Sequence, residues 1–266
     1  MSIDMEELES KLTPWPEAPK PALKKLVGKS FLEEPVATWE LCQRILELEP
    51  VEWGSLKDAP PDCPWGTAES VSPQEVIDTI FSSVADDMKS FVKELKKRCL
   101  TLLTAQIDGQ WLLLYVLQLG TKKGGEWRIE TMVGGPPNSS PEVSPKVAET
   151  RWEIPEELFE FYAIHDGFGP FVEGKWGDNA VLPAEQLKVL PAVAGSETGS
   201  MQNIIDRQAF LSFFRDDLGR RFGFYRQFAN DPYKDVGMWS RRTRTVSMQG
   251  AFLKVVGSTF TSWMKR

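Results

Sequence analysis

The chain holds one histidine, His165, three cysteines and 38 carboxylates among 266 residues, and this inventory bounds the chemistry open to it. One imidazole builds neither a His–His metal site nor a paired-His acid–base scheme. His165 beside Asp166 could serve a serine nucleophile delivered by the fold, but sequence neighbours seldom point at each other, and a helix-end role explains both residues. Cys42, Cys63 and Cys99 are far apart, outside any C-x-x-C spacing and without a nearby histidine to lower a thiol pKa, so they read as free packing residues. Asp86-Asp87, Glu156-Glu157 and Asp216-Asp217 have the type of hydrolase or metal carboxylates, yet their settings read as solvated turns and helix faces. The run Gly120-Thr121-Lys122-Lys123-Gly124-Gly125 lacks the phosphate-loop register and joins two predicted strands, which makes it a hairpin turn. No catalytic, cofactor-binding or metal-ligating residue is expected.

Recognition chemistry is better represented. Arg215, Arg220, Arg221 and Arg226 fall in one predicted hairpin, and Trp239, Arg241, Arg242 and Arg244 follow Lys234. Together they predict a basic, partly aromatic surface, of the residue types enriched at protein interfaces. The competing reading is a strand edge whose charges block aggregation. Trp15 and Trp39, in a proline-rich opening segment, are further candidates for partner contact, because large aromatics in an extended arm need an apolar neighbour. A formal net charge of −7 opposes general binding to nucleic acid or anionic lipid and would speed encounter with a basic protein partner.

The elements that must carry these residues can be read in order. Residues 1–70 form a Pro- and Trp-rich arm with one short helix near Val36 to Leu48, bearing Trp39, Ile45 and Leu46 toward one side. Ser72-Pro73-Gln74-Glu75 starts a helix that is predicted to run to about Cys99, with Lys93, Lys96, Lys97 and Arg98 near its negative end. Strands Leu100 to Ile107 and Trp111 to Leu119 flank Asp108-Gly109, a tight-turn dipeptide, and a third strand covers Glu126 to Val133. Residues 71–135 therefore read as a helix plus β-meander. The Gly-, Pro- and Ser-rich stretch from Gly134 to Pro145 sets the domain boundary, with a linker at 136–150 and a second domain at 151–266.

In that second domain Ile154-Pro155 opens a short helix through Leu158 and Phe161 that stops at Asp166-Gly167. A strand–turn–strand carries Leu211, Phe213, Asp216, Gly219 and Phe224, and a last helix carries Phe260. In order and spacing these marks resemble the SUKH superfamily of Smi/Knr-like domains, which includes a fungal cell-wall regulator and many bacterial immunity proteins. The resemblance covers the C-terminal half only. It implies an α+β fold with an antiparallel sheet and flanking helices, and a non-catalytic function: an accessory subunit or adaptor within an assembly, or an immunity-type inhibitor of a toxin. The alternative is a hydrolase-like enzyme with Asp166, Asp178 or Asp216 as acid or base between the two α+β units. The longest apolar run, Trp111 to Leu117, is too short to span a bilayer, and the free thiols suit a reducing, cytoplasmic compartment.

Overall fold

Ser72 organises the start of the first long helical segment. Its side chain accepts from the Glu75 backbone N–H, and the Glu75 carboxylate accepts in return from the Ser72 N–H at 2.8 Å, a closed capping box. The helix that follows, Pro73–Ile80, is nevertheless short. A 3₁₀ turn at Ser82–Val84 separates it from a second helix, Lys89–Arg98, where one unbroken helix is predicted. The cause is local: Ser82 Oγ donates to the Thr79 carbonyl at 2.9 Å, and Ser82, Ser83, Asp86 and Asp87 all offer the backbone non-helical partners. The break still turns Phe81, Val84 and Met88 inward, each almost fully buried.

The computed structural model describes residues 35–47, 52–56, 59–66, 72–120, 127–189, 210–226, 235–240 and 245–265. They divide between two compact units, Met1–Pro136 with Phe171–Lys175 and Gly257–Arg266, and Pro137–Pro170 with Trp176–Val256. In the first unit α1 (Pro35–Leu46) buries Trp39, Cys42 and Leu46 at three- and four-residue steps; the Ile45 side chain lies outside the described residues. β1 (Glu52–Ser55) pairs with β2 (Cys99–Ile107), β2 with β3 (Gln110–Gly120), and β3 with β4 (Trp127–Gly134), all antiparallel. Asp108 and Gly109 take the positive φ angles, 50° and 77°, that the tight β2–β3 turn requires. Leu112 to Leu117 are buried without alternation, the mark of a strand covered on both faces. Phe81, the residue that caps the end of α2 (Pro73–Ile80), and Phe91 of α3 (Lys89–Arg98) meet edge-to-face at 5.5 Å, and Phe260 adds a third ring 5.6 Å from Phe91. The Lys-Lys-Gly-Gly turn before β4 lies outside the described residues.

The second unit begins earlier than composition suggests. Within the predicted linker, Asn138 donates its backbone N–H to the Tyr162 carbonyl at 2.8 Å and its side-chain amide to Asp166 at 2.7 Å. The short helix α4 (Pro145–Ala148) buries Val147. Fixed proline φ angles and a side chain that bonds to backbone and carboxylate make this polar stretch part of the fold. α5 (Glu156–Tyr162) starts after Pro155 and ends before Gly167, whose φ of 95° and crowding by Trp176 at 2.8 Å exclude a side chain. The strand β5 (Phe168–Gly169) follows; β6 (Phe171–Val172) and the first residue of β7 (Lys175–Trp176) belong to the first unit, and the second resumes at Trp176 with β8 (Lys188–Val189), β9 (Phe210–Arg215), β10 (Arg221–Tyr225), β11 (Asp235–Ser240) and β12 (Thr245–Ala251).

The sheet of this unit runs β12-β11-β10-β9-β8, a meander apart from the long connection before β9. Phe252, at the start of α6 (Phe252–Lys265), meets Phe161, Phe213 and Phe224 at ring separations of 5.8, 4.8 and 5.6 Å. That aromatic cluster is the core against which the sheet and helices close. The fold class is α+β, as expected. Pro155, Gly167 and Gly219 share this unit, whereas Phe260 belongs to the first, so the second unit is not the continuous 151–266 block read from sequence.

Candidate interaction face

Strand register brings together residues that are scattered in sequence. Arg221 on β10 stands directly opposite Arg215 on β9 and Trp239 on β11, and Trp239 stands opposite Val246 on β12. Directly paired residues project to one face of a sheet, so Arg215, Arg221, Trp239 and Val246 form a row across four strands. A bulge at Phe213 places Tyr225 opposite Phe210, and Trp239 and Val246 pack against these two buried rings. Arg215 is exposed, while the other three are half-buried. The result is a two-cation, one-aromatic strip on a rigid apolar base.

Its electrostatics are unbalanced. Arg215 pairs with Asp178, and that hydrogen bond raises its pKa. Burial pushes the Arg221 guanidinium below its usual value, Arg215 across the ladder pushes the same way, and Asp178 acts against both. Among the described residues the Arg221 guanidinium has no hydrogen-bond or ion-pair partner. A half-buried cation facing a like charge is costly within a fold, and an incoming anion relieves that cost.

The other predicted contact residues have different surroundings. Arg220 is tied to Asp216 by an Nε–Oδ2 bond of 2.6 Å. Arg226 lies 3.8 Å above the Trp152 ring and donates to the Arg151 carbonyl, a cation–π contact internal to the unit. Trp39 is 3% exposed and stacked on Trp53 at 5.3 Å, so its ring is engaged inside the first unit and does not present a docking surface. Trp15, Arg241, Arg242 and Arg244 lie outside the described residues; the three arginines belong to the connection between β11 and β12. Val246 was not legible as a partner of Trp239, since only the β11–β12 register joins them.

Of the carboxylates considered as acid or base, Asp178 pairs with Arg215, and Asp166 and Asp216 accept hydrogen bonds within their unit. Asp166 accepts from the Ala184 N–H and the Asn138 amide, each at 2.7 Å. Asp216 accepts from the Leu218 and Arg220 N–H groups at 3.1 and 2.8 Å, closing the β9–β10 turn at Gly219. His165 is fully buried with its ring 5.3 Å from Phe168. Among the described residues no three His, Cys, Asp or Glu side chains are grouped to hold a metal ion, and no helix is long and apolar enough to cross a membrane. A groove of about 280 Å³ in the first unit, lined by Pro64, Trp65, Val76, Thr79 and Ile80, has one carboxylate, Glu75, already engaged with Ser72. No protein-family model matches the chain, and neither does any curated protein or solved structure.

Proposed function

We propose that this chain is a non-catalytic protein-binding protein, an accessory subunit of an assembly or an immunity-type inhibitor, that engages its partner through the Arg221–Trp239 face. The observation carrying this reading is the half-buried Arg221 guanidinium, which has no hydrogen-bond or salt-bridge partner among the described residues, feels Asp178 only through its charge, and is flanked by Trp239. Arginine and tryptophan side by side on a rigid base supply a hydrogen-bond fork and apolar area together, the combination that dominates interface energetics.

The sign of the charge selects the partner. Net charge alone favours a basic one, but residues 236–266 contain six Lys and Arg and no Asp or Glu, so the chain's charge is segregated. Close contact responds to the local pattern, and this face suits a partner that presents carboxylates.

Affinity purification from cells that make the protein tests the proposal, comparing the natural chain with Arg221→Glu and Trp239→Ala. Each variant is expected to recover at least tenfold less of a specific partner, about 1.4 kcal/mol, with its thermal unfolding midpoint unchanged. Equal recovery removes this face from consideration. A turnover abolished by replacing one carboxylate in a folded chain would overturn the non-catalytic reading.

A further inference from the structure

The row of paired residues ends at Val246, on the last strand of its sheet. Among the described residues nothing pairs with the outer side of β12, and Ser247, Met248, Gln249 and Gly250 are exposed. An edge strand leaves alternate N–H and C=O groups without a ladder partner, and proteins usually guard such an edge with lysine, proline or a bulge. β12 reads Thr-Val-Ser-Met-Gln-Gly-Ala, with neither charge nor proline. Its one guard is the bulge at Gln249, beside Gly250 with φ of 108°, which leaves Thr245–Met248 as the regular stretch.

We infer that β12 is the docking edge for a short, extended, acidic segment of another protein, which adds to the sheet as a further strand along Thr245–Met248. This deepens the proposal that the Arg221–Trp239 face binds protein and rests on it. A residue of the added strand opposite Val246 falls on the row that already holds Val246, Trp239 and Arg221, so an apolar side chain there continues the apolar base. Pairing over the short regular stretch supplies few backbone hydrogen bonds, and the charge of residues 236–266, six Lys and Arg with no Asp or Glu, favours carboxylates on the added strand. A second copy of the chain is disfavoured, because it would bring another all-basic C-terminal segment against the first.

The experiment is fluorescence anisotropy on the full chain with a labelled synthetic peptide of alternating valine and glutamate. Two controls are a peptide with lysine replacing glutamate and a pair of glutamate peptides N-methylated on alternate residues, one for each phase of the strand. The glutamate peptide is expected to bind, the lysine peptide at least tenfold more weakly, and one N-methylated phase to lose binding by a similar factor. Val246 and Ser247 present their N–H groups to opposite sides of β12, so Val246→Pro and Ser247→Pro are made separately. One of them is expected to keep the unfolding midpoint while abolishing peptide binding.

Equal affinity for both N-methylated phases overturns strand addition, and so does absence of binding by the glutamate peptide. A concentration-dependent dimer that competes with the peptide and disappears in the folded proline variant makes the occupant a second copy, which also overturns it. If neither proline variant folds, the methylated peptides still decide. Loss of the cellular partner in Arg221→Glu alongside failure of every peptide sinks strand addition alone, whereas retention of that partner sinks the face itself.

Discussion

Two carboxylates, Asp166 and Glu94, are shifted in opposite directions, and their pH signatures differ accordingly. Burial raises the Asp166 pKa above its ordinary 3.8, against the lowering effect of the Asn138 and Ala184 hydrogen bonds; the nearby Glu185 charge raises it further. A raised folded value favours the protonated form, so this contribution to stability is full below the ordinary value and is lost as pH rises through the folded one. Asp166→Asn is therefore expected to flatten the decline in urea midpoint from about pH 4 upward, and an unchanged decline would remove Asp166 as its source. For Glu94 burial acts upward, but the Arg98 hydrogen bond and the Arg98 and Lys97 charges outweigh it, leaving the pKa below its ordinary 4.5. Its contribution is present above that value and lost as pH falls, so Glu94→Gln is expected to flatten the acid side of the same profile. Thiol chemistry belongs at this scale too. Burial lifts Cys42 to about 12 and raises Cys63 and Cys99, so all three are expected to react with a thiol reagent only at the rate of unfolding. Rapid labelling of the native chain would contradict their packing.

At the scale of elements, the close approach of β9 and β10 gives the sharpest stability prediction. A Cβ built on Gly223 would lie 2.3 Å from the Leu211 carbonyl oxygen, a backbone atom that cannot move without the ladder. Gly223→Ala is expected to cost about 2–3 kcal/mol or more and to disturb the β9–β10 bulge that sets Tyr225 opposite Phe210, measurable by urea unfolding and by loss of partner. The pieces of this sheet were legible in sequence: the Phe210-to-Tyr225 strand–turn–strand, the Asp216-to-Gly219 turn and the Asp108-Gly109 hairpin each carry their own local signal. The pairing that builds the interaction face was not. The row depends on the registers of three strand pairs, and the neighbouring Phe210–Tyr225 pair on one extra residue at Phe213, without which Tyr225 would oppose Leu211; period-two patterning reports neither a register nor a bulge. The interruption at Phe81–Met88 was hidden for a related reason, since apolar residues at helical spacing continue through it and mask a stretch of serines and aspartates, residue types that compete for backbone hydrogen bonds.

At the scale of the whole molecule, the first division of the chain, between Pro136 and Pro137, falls inside the Gly134–Pro145 stretch, but residues 137–150 belong to the second unit. A stretch rich in proline, glycine and serine reads as a linker because such residues rarely bury much, yet Asn138 and Val147 anchor it within the second unit. Replacing residues 139–149 with glycine and serine of equal length, which a true linker tolerates, is expected to lower the thermal midpoint of the full chain by several degrees. The single burial of Val147 is worth roughly 1–3 kcal/mol, so Val147→Ala should reproduce part of the effect. The division of the chain has a further consequence for biosynthesis. The first unit includes Gly257–Arg266, where Phe260 meets Phe91 and Gly257 lies 3.5 Å from the Met88 backbone, so its last pieces leave the ribosome after everything in the second unit. The unit begun earliest is completed latest, and a nascent chain halted before Gly257 would hold Phe91 against Phe81 but without the Phe260 ring.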